Sequence, residues 1–407
     1  MVDARSPVTT RTAPQTHRHA TQAGRAAYSG RDALQATCLQ GEAALTAYAA
    51  LCPDCVFAPA QSAQWVACWA RHCNADIVVA TLSRRHRPVF AVALEVVAHG
   101  SAKMACLVGG THANGNFSPV VPAAAADIGP GDIKTLIRSI RAARPDIDLL
   151  VFERLISAFR GSPNPLSRLG GAQSPNPALA VDLTGGFEAV LARASGKRKR
   201  KKHRSQTRKF EAAGGFRRLR AENRLESERL LDAFFAMKAE RFATMGIKNV
   251  FDGTPVQDFF RELFGSEAHK AAPAFVLHGL EVGGLLRAVT GSSISADSVI
   301  CEFGAIAGDE LAFASPGEFL FFDNIREACE QGLAIYDFSV GDETYKRLWC
   351  GIETHHVDIV LPLTLKGRAS ALSRRTAALV KRRVKATPLL WEAVKRARRA
   401  TRGSRET

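Results

Sequence analysis

The chain has no apolar run approaching the ~20 residues that a helix needs to cross a bilayer, which argues against an integral helical membrane protein. Its opening stretch, MVDARSPVTTRTAPQTHRHATQAGR, lacks the hydrophobic core of a secretory leader. Residues 1–33 therefore read as a polar, disordered tail, and the cytoplasm is the expected compartment. Two further absences coincide between Lys197 and Lys209. No acid sits among the nine Lys and Arg of that stretch, and no aromatic side chain interleaves with them before Phe210. Dense cations attract phosphates, but without stacking residues base recognition is unsupported, so nucleic acid is not an expected partner.

What is present suits a globular protein of two or three domains: 407 residues, 46% hydrophobic and 23% charged. A second basic stretch, Lys366–Thr407, carries fourteen Lys and Arg against Glu392 and Glu406. The two stretches contribute +9 and +12 to a net charge of +16, so the remainder is mildly acidic. Among nine cysteines, Cys52, Cys55, Cys68 and Cys73 have the count of a zinc knuckle, with His72 alongside. The stretch holding Cys68 and Cys73 reads as helix, which turns those two thiols ~140° apart. Buried, reduced thiols are the expectation, with no metal.

Pattern and punctuation place helices at 34–51 and 62–73, strands at 77–83, 88–99 and 104–110, a helix at 133–144 and a strand at 148–155. Residues 160–177 are dense in Gly, Pro, Ser and Asn and mark a boundary. Beyond it, one helical stretch runs from Phe187 to the Gly214–Gly215 pair. A strand FRRLRA follows, then helices ending near Gly246 and Phe264. Strands at 273–281, 285–294 and 298–307, a helix at 316–331 and a strand at 333–341 complete the series. The order of three strands, a helix and a strand occurs twice. It predicts an α/β (α+β) chain of tandem domains, each a mixed, mostly antiparallel sheet flanked by helices. The expected divisions are 34–160, a linker 161–180, 181–364, and a basic amphipathic tail 365–407.

Three places hold candidate chemistry. Ser315-Pro316-Gly317-Glu318 opens a helix whose unpaired N–H groups could hold a diphosphate. A capping box explains Ser315 and Glu318 equally well, Glu318 would repel an anion, and no Gly-rich phosphate fingerprint is present. The second place is Tyr336–Trp349, where the strand breaks at Gly341 with Asp342, Glu343, Tyr345 and Lys346 at its carboxyl end. A tyrosine there could protonate a departing thiolate, and a carboxylate could accept a proton from an attacking amine or hydroxyl. A solvated turn with a surface ion pair is the plainer reading. Glu302 is the third, a lone acid in the apolar run VICEFGAIA and a candidate base with a raised pKa.

The run from Ser315-Pro-Gly through Ile325-Arg-Glu-Ala and Gly332 to Tyr336-Asp-Phe-Ser-Val-Gly-Asp-Glu-Thr-Tyr-Lys-Arg-Leu-Trp resembles the CelD/BcsL group of GNAT acyltransferases, distant relatives of the Fem-type transferases. Phe57-Ala-Pro and Gln64-Trp-Val-Ala-Cys-Trp resemble that group's N-terminal helix. Lys197–Phe210 resembles its basic helix, so that the likeness covers roughly 55–365. It implies tandem GNAT-like domains, the first degenerate and the second catalytic, using acyl-CoA as co-substrate with no tightly bound cofactor. It also implies an amine or hydroxyl acceptor linked to envelope, cellulose or exopolysaccharide biosynthesis. Asp337, Gly341, Asp342, Tyr345 and Lys346 are then expected near the reaction, with Glu302 as a candidate base and Ser315, Pro316 and Gly317 toward the donor. Alternatives are a Fem-like transfer from aminoacyl-tRNA, with the basic block serving the tRNA, and a non-catalytic interaction protein on the same scaffold. In the tail, Leu372, Leu379, Leu389, Leu390 and Trp391 lie among cations at helical spacing. They either dip into an anionic membrane surface, placing the protein at its inner face, or pack on the enzyme.

Overall fold

The structure, a computed structural model, describes residues 33–386, and side chains as far as 376. The tail expected over 1–33 lies outside the described residues except for its last position. So do Leu389, Leu390 and Trp391, while of Leu379 only the helical backbone is described.

Strands follow the chain as β1 (Gln35–Gln40), β2 (Ile77–Arg84), β3 (Arg87–His99), β4 (Ala102–Leu107), β5 (Leu149–Leu155), β6 (Ala172–Gln173), β7 (Ala178–Asp182), β8 (Phe216–Arg220), β9 (Phe275–Val282), β10 (Leu285–Ile294), β11 (Ser298–Ile306), β12 (Ile335–Val340), β13 (Ile352–Thr354) and β14 (Val357–Pro362). The principal helices are α1 (Gly41–Leu51), α2 (Ala63–His72), α3 (Pro130–Ala143), α4 (Gly186–Arg193), α5 (Gly196–Ala212), α6 (Arg224–Met245), α7 (Thr254–Gly265), α8 (Pro316–Glu330) and α9 (Leu365–Ala386). Local signals set several ends. Ser62 accepts the Trp65 N–H at the start of α2, Asn223 accepts the Glu226 N–H at the start of α6, and Gly246 closes α6 in the left-handed region.

Two seven-stranded mixed sheets result, ordered β1-β2-β3-β4-β5-β14-β6 and β8-β9-β10-β11-β12-β7-β13. In each, a four-strand antiparallel run meets a single parallel neighbour, β4 with β5 and β11 with β12. The tandem mixed-sheet architecture is thus present. The sixth strand of the first sheet comes from the far end of the chain: β14, from the end of the stretch 181–364, pairs with β5, whereas β7, which straddles the expected boundary at 180/181, lies between β12 and β13 in the second sheet. One apolar core spans both halves, with the Trp65 ring edge-on to Phe259 at 5.0 Å and tilted against Phe275 at 6.1 Å.

Two local expectations are corrected. Residues 35–40 form an edge strand, not the start of a helix. Pairing with β2 overrides the helical propensity of the alanines that follow, and Gly41, at φ 61°, makes the turn into α1. The helix expected from Phe187 is two helices. Ser195 adopts φ 57°, and Gly196 packs so closely on Leu191 that a Cβ would meet its carbonyl oxygen at 2.6 Å.

The four cysteines near α2 are free thiols. Cys52 and Cys68 are buried, Cys55 and Cys73 half-buried, and burial pushes their pKa values to about 11 or 12. Among the described residues no group of three or more His, Cys, Asp or Glu is placed to hold a metal, and no helix is long and apolar enough to cross a membrane.

Candidate active site

The parallel pair β11–β12 separates early. Ser298, Val299 and Ile300 pair with Ile335, Tyr336 and Asp337, and no backbone pairing follows, although β11 continues to Ile306. Just beyond the last pair the Ser339 hydroxyl, not a backbone amide, donates to the Cys301 carbonyl at 2.7 Å. Ser339 itself sits at φ 61°, and the β12–β7 register shifts between Asp337 and Val340. The strands therefore open a wedge toward their carboxyl ends, the side of such sheets where ligands bind.

Glu302 lies on the wall of this wedge at a β-bulge. Gly291 faces Phe303 and Ser292 faces Cys301, leaving Glu302 without an opposite residue. The bulge is wedged by packing. A Cβ on Gly291 would lie 2.1 Å from the Phe303 ring, and that ring packs on Phe234 and Phe260 at 4.2 and 5.2 Å. The half-buried Glu302 carboxylate accepts from Ser293 Oγ at 2.6 Å and from Asn114 Nδ2 at 2.8 Å. Burial, reinforced by the charge of Asp337, raises its pKa to about 7 against those two hydrogen bonds. Asp337, half-buried across the wedge, is raised by burial to about 6 although the Ser339 N–H donates to it at 2.6 Å. Carboxyls whose pKa burial raises toward neutrality are groups suited to accepting a proton there.

Tyr345 stands on the single helical turn Thr344–Arg347 after β12. Its ring stacks on Phe321 at 5.6 Å and meets Phe338 edge-on at 6.0 Å. At 38% exposure its hydroxyl makes no hydrogen bond with the described residues, and burial of the ring raises its pKa. Lys346 is buried, donating to the Val340 carbonyl at 3.1 Å and pairing with Glu343 at 3.0 Å, so it ties the strand end to the turn. Gly341 permits that crossing, since a Cβ there would lie 2.9 Å from the Lys346 ammonium. Asp342 is drawn outward into an exposed ion pair with Arg347, which also holds Glu353. The structure thus gathers Glu302, Asp337 and Tyr345 around the wedge, sets Lys346 and Gly341 beneath its rim, and leaves Asp342 on the surface.

At the start of α8 the expected capping box is absent. Ser315 is left-handed, at φ 56°, and its side chain caps nothing. Its carbonyl is held by Gln206 Nε2 at 3.0 Å, and Glu318 turns to Lys202 on α5. The amides of the first turn have no side-chain partner. Gly317 passes so near β11 that a Cβ would meet Ile306 at 2.7 Å.

The basic block is α5, and half its face is packed. Lys199 is buried with its ammonium 3.9 Å from the centre of the Trp349 ring, and His203 stacks on Phe319 and Phe322 at 4.2 and 4.1 Å. Lys197, Arg198, Lys201, Arg204 and Arg208 face solvent. The contribution sequence reasoning missed is Asn114, from the first half. Its only signal is membership of a Gly/Asn/Pro-rich loop.

Residues 197–347 match the family described as acetyltransferase (GNAT) domain, and this half carries a GNAT-type acyltransferase domain. No curated protein matches the chain. Among solved structures, that of FemX superposes with a TM-score of 0.54 at 8% identity, over 80% of this chain and 97% of that one. The likeness is one of fold. A tandem GNAT protein from the clavulanic acid biosynthesis pathway gives 0.45 at 11%, over 81% and 98%. L-PGS from Bacillus licheniformis gives 0.44 at 14%, over 70% and 85%.

Proposed function

We propose that the chain is an acyl-CoA-dependent N- or O-acyltransferase working in the β11–β12 wedge. The observation that carries this reading is the early parting of those strands with Glu302 and Asp337 on its walls. An acceptor amine or hydroxyl gives its proton to the Glu302 carboxylate and attacks the thioester carbonyl carbon. The tetrahedral adduct collapses, the C–S bond breaks, and Tyr345 protonates the leaving thiolate. Asp337 keeps Glu302 poised by like-charge repulsion. The start of α8 receives the donor's diphosphate, with the Gly317 N–H donating to it and Ser315 and Pro316 shaping the approach, while Lys202 neutralises the Glu318 charge that would otherwise repel it. Gly341 and Lys346 shape the rim.

The acceptor proposed is an envelope, cellulose or exopolysaccharide precursor, following the resemblance to the CelD/BcsL group. A peripheral position on the inner face of a membrane is supported by α9. Gly367, Ala371 and Arg374 face the first sheet, Arg374 pairing with Glu153, while Leu365 and Leu372 stay 80% and 64% exposed beside Lys366, Arg368 and Arg375. Thermal melts with acetyl-CoA and longer acyl-CoAs test the donor. Stabilisation of several degrees at 1 mM, an order-of-magnitude expectation, is the result foreseen, and no shift with any of them defeats the reading. The solvent-facing cations of α5 favour one rival, transfer from aminoacyl-tRNA. Salt-sensitive tRNA binding that disappears when Lys201 and Arg204 are neutralised would select it.

A further inference from the structure

We propose that Asn114, which belongs to the first half of the chain, is a positioning residue for the second half's base, holding the Glu302 carboxylate in the plane in which it takes the acceptor's proton. The inference rests on the transferase reading above. Its ground is geometric. In the first sheet β5 pairs with β4 only over Leu149–Val151, and beyond that point the segment around Asn116 takes the place of the missing partner. Asn116 accepts from Ile156 N at 3.0 Å, and its N–H donates to the Arg154 carbonyl at 2.9 Å. Its side chain donates to the Glu153 carbonyl and accepts from Gln61, each at 2.8 Å. The Arg154 guanidinium donates to the carbonyls of Ala113 at 2.8 Å and Thr111 at 3.1 Å. Asn114 therefore stands on a backbone fastened on both sides.

From that footing its amide nitrogen reaches two acceptors of one residue, Glu302 Oε2 at 2.8 Å and the Glu302 carbonyl at 2.7 Å. Both its hydrogens are used, so the bulge and the carboxylate are fixed together. With Ser293 on Oε1, each carboxylate oxygen has one donor and retains a lone pair for the incoming proton. Gly115, next in the chain, has no room for a Cβ, which would lie 2.9 Å from Ile156. The groups around Glu302 are Ser293 on β10, Asn114, Cys301 beside it and Asp337 on β12, while Lys238 of α6 and Lys346 act on the neighbouring Cys301. Of those acting on its titration, Asp337 and burial favour the neutral acid, whereas Ser293 and Asn114 favour the carboxylate.

Asn114→Ala and Asn114→Asp test this together, through the kcat/KM–pH profile and through NMR titration of the Glu302 carboxyl without substrate. Loss of the donor moves both midpoints up by about one pH unit, a roughly tenfold loss of kcat/KM at pH 6 that closes above about pH 8.5. Asn114→Asp, which faces the carboxylate with an acceptor, moves them further. Midpoints that stay at the wild-type value while kcat alone falls, in a variant whose melt matches wild type, overturn the assignment. Wild-type protein without transferase activity overturns instead the reading beneath it, and the NMR titration then reports the Asn114–Glu302 link on its own.

Discussion

The two halves share one sheet plan and part company at one spot. Each has a parallel pair that lasts three residues, β4–β5 in the first and β11–β12 in the second. In the first half the segment through Asn116 fills the gap beyond. The nearby buried carboxyl, Glu95, is raised by burial but satisfied by Trp69 Nε1, Asn74 Nδ2 and the Gly109 N–H at 2.9, 3.3 and 3.1 Å. In the second half no strand pairing fills the corresponding gap among the described residues, and Glu302 has two donors and an acidic neighbour. On the proposed reading, a fold that supplies a wedge twice keeps chemistry where the second strand pair parts unfilled.

Replacing the base should break this contrast most strongly. Glu302→Gln is expected to lower kcat/KM on the order of 10²–10⁴-fold, read by steady-state acyl transfer. The same change should stabilise. A carboxyl whose folded pKa is raised from 4.5 to about 7 binds its proton more tightly when folded, so stability falls as pH rises through that window. By about pH 8 the cost is complete, and Glu302→Gln should gain about 3 kcal/mol there but little at pH 4 in urea unfolding. Equal stability at both pH values would contradict the burial on which the site depends.

The first half answers differently. Asn116→Ala, inside the plug, takes the donor from the Glu153 carbonyl and leaves Gln61 Nε2 only its bond to the Val108 carbonyl, and should cost about 2–3 kcal/mol in denaturant melts at any pH. A pH-dependent loss would mean that the plug carries titrating chemistry after all. Smaller again is Asp337→Asn. Removing a like charge lowers the Glu302 pKa, so the acidic limb of kcat/KM should move down by about one pH unit. An upward shift would make Asp337, rather than Glu302, the group that titrates.

The strand order was legible because β2, β3, β9, β10 and β11 are apolar runs divided by short polar turns. Glu302 stood out for the same reason, as an acid in a run otherwise suited to burial. Other features depend on partners distant in sequence. β7 starts directly after a Pro-rich stretch that reads as linker, and pairing with β12 and β13 makes it a strand. The crossing of β14 to the first sheet leaves no local mark, because its pattern would suit an edge of either sheet. Ser315 misled because S-x-x-E specifies a capping box only when the serine is extended, and here Gln206 and Lys202 of α5 hold the alternative. Asn114 was invisible because its role is defined by a carboxylate 188 positions away.

Asp342 provides the finest discrimination, since it shares a turn with Tyr345 and Lys346 and differs from them in where its charge goes. Its carboxylate is fully exposed and paired with Arg347, which lowers its pKa, and Arg347 keeps Glu353 when Asp342 is neutralised. An exposed pair with a spare partner contributes little to stability, and on the proposed mechanism it takes no part in proton transfer inside the wedge. Asp342→Asn should therefore change kcat/KM less than about twofold and leave the acidic limb in place, whereas Tyr345→Phe in the same turn should slow thiolate departure by on the order of 10²-fold. If the two variants lose activity alike, the turn acts as one unit and the separation between surface and wedge drawn at Gly341 is wrong.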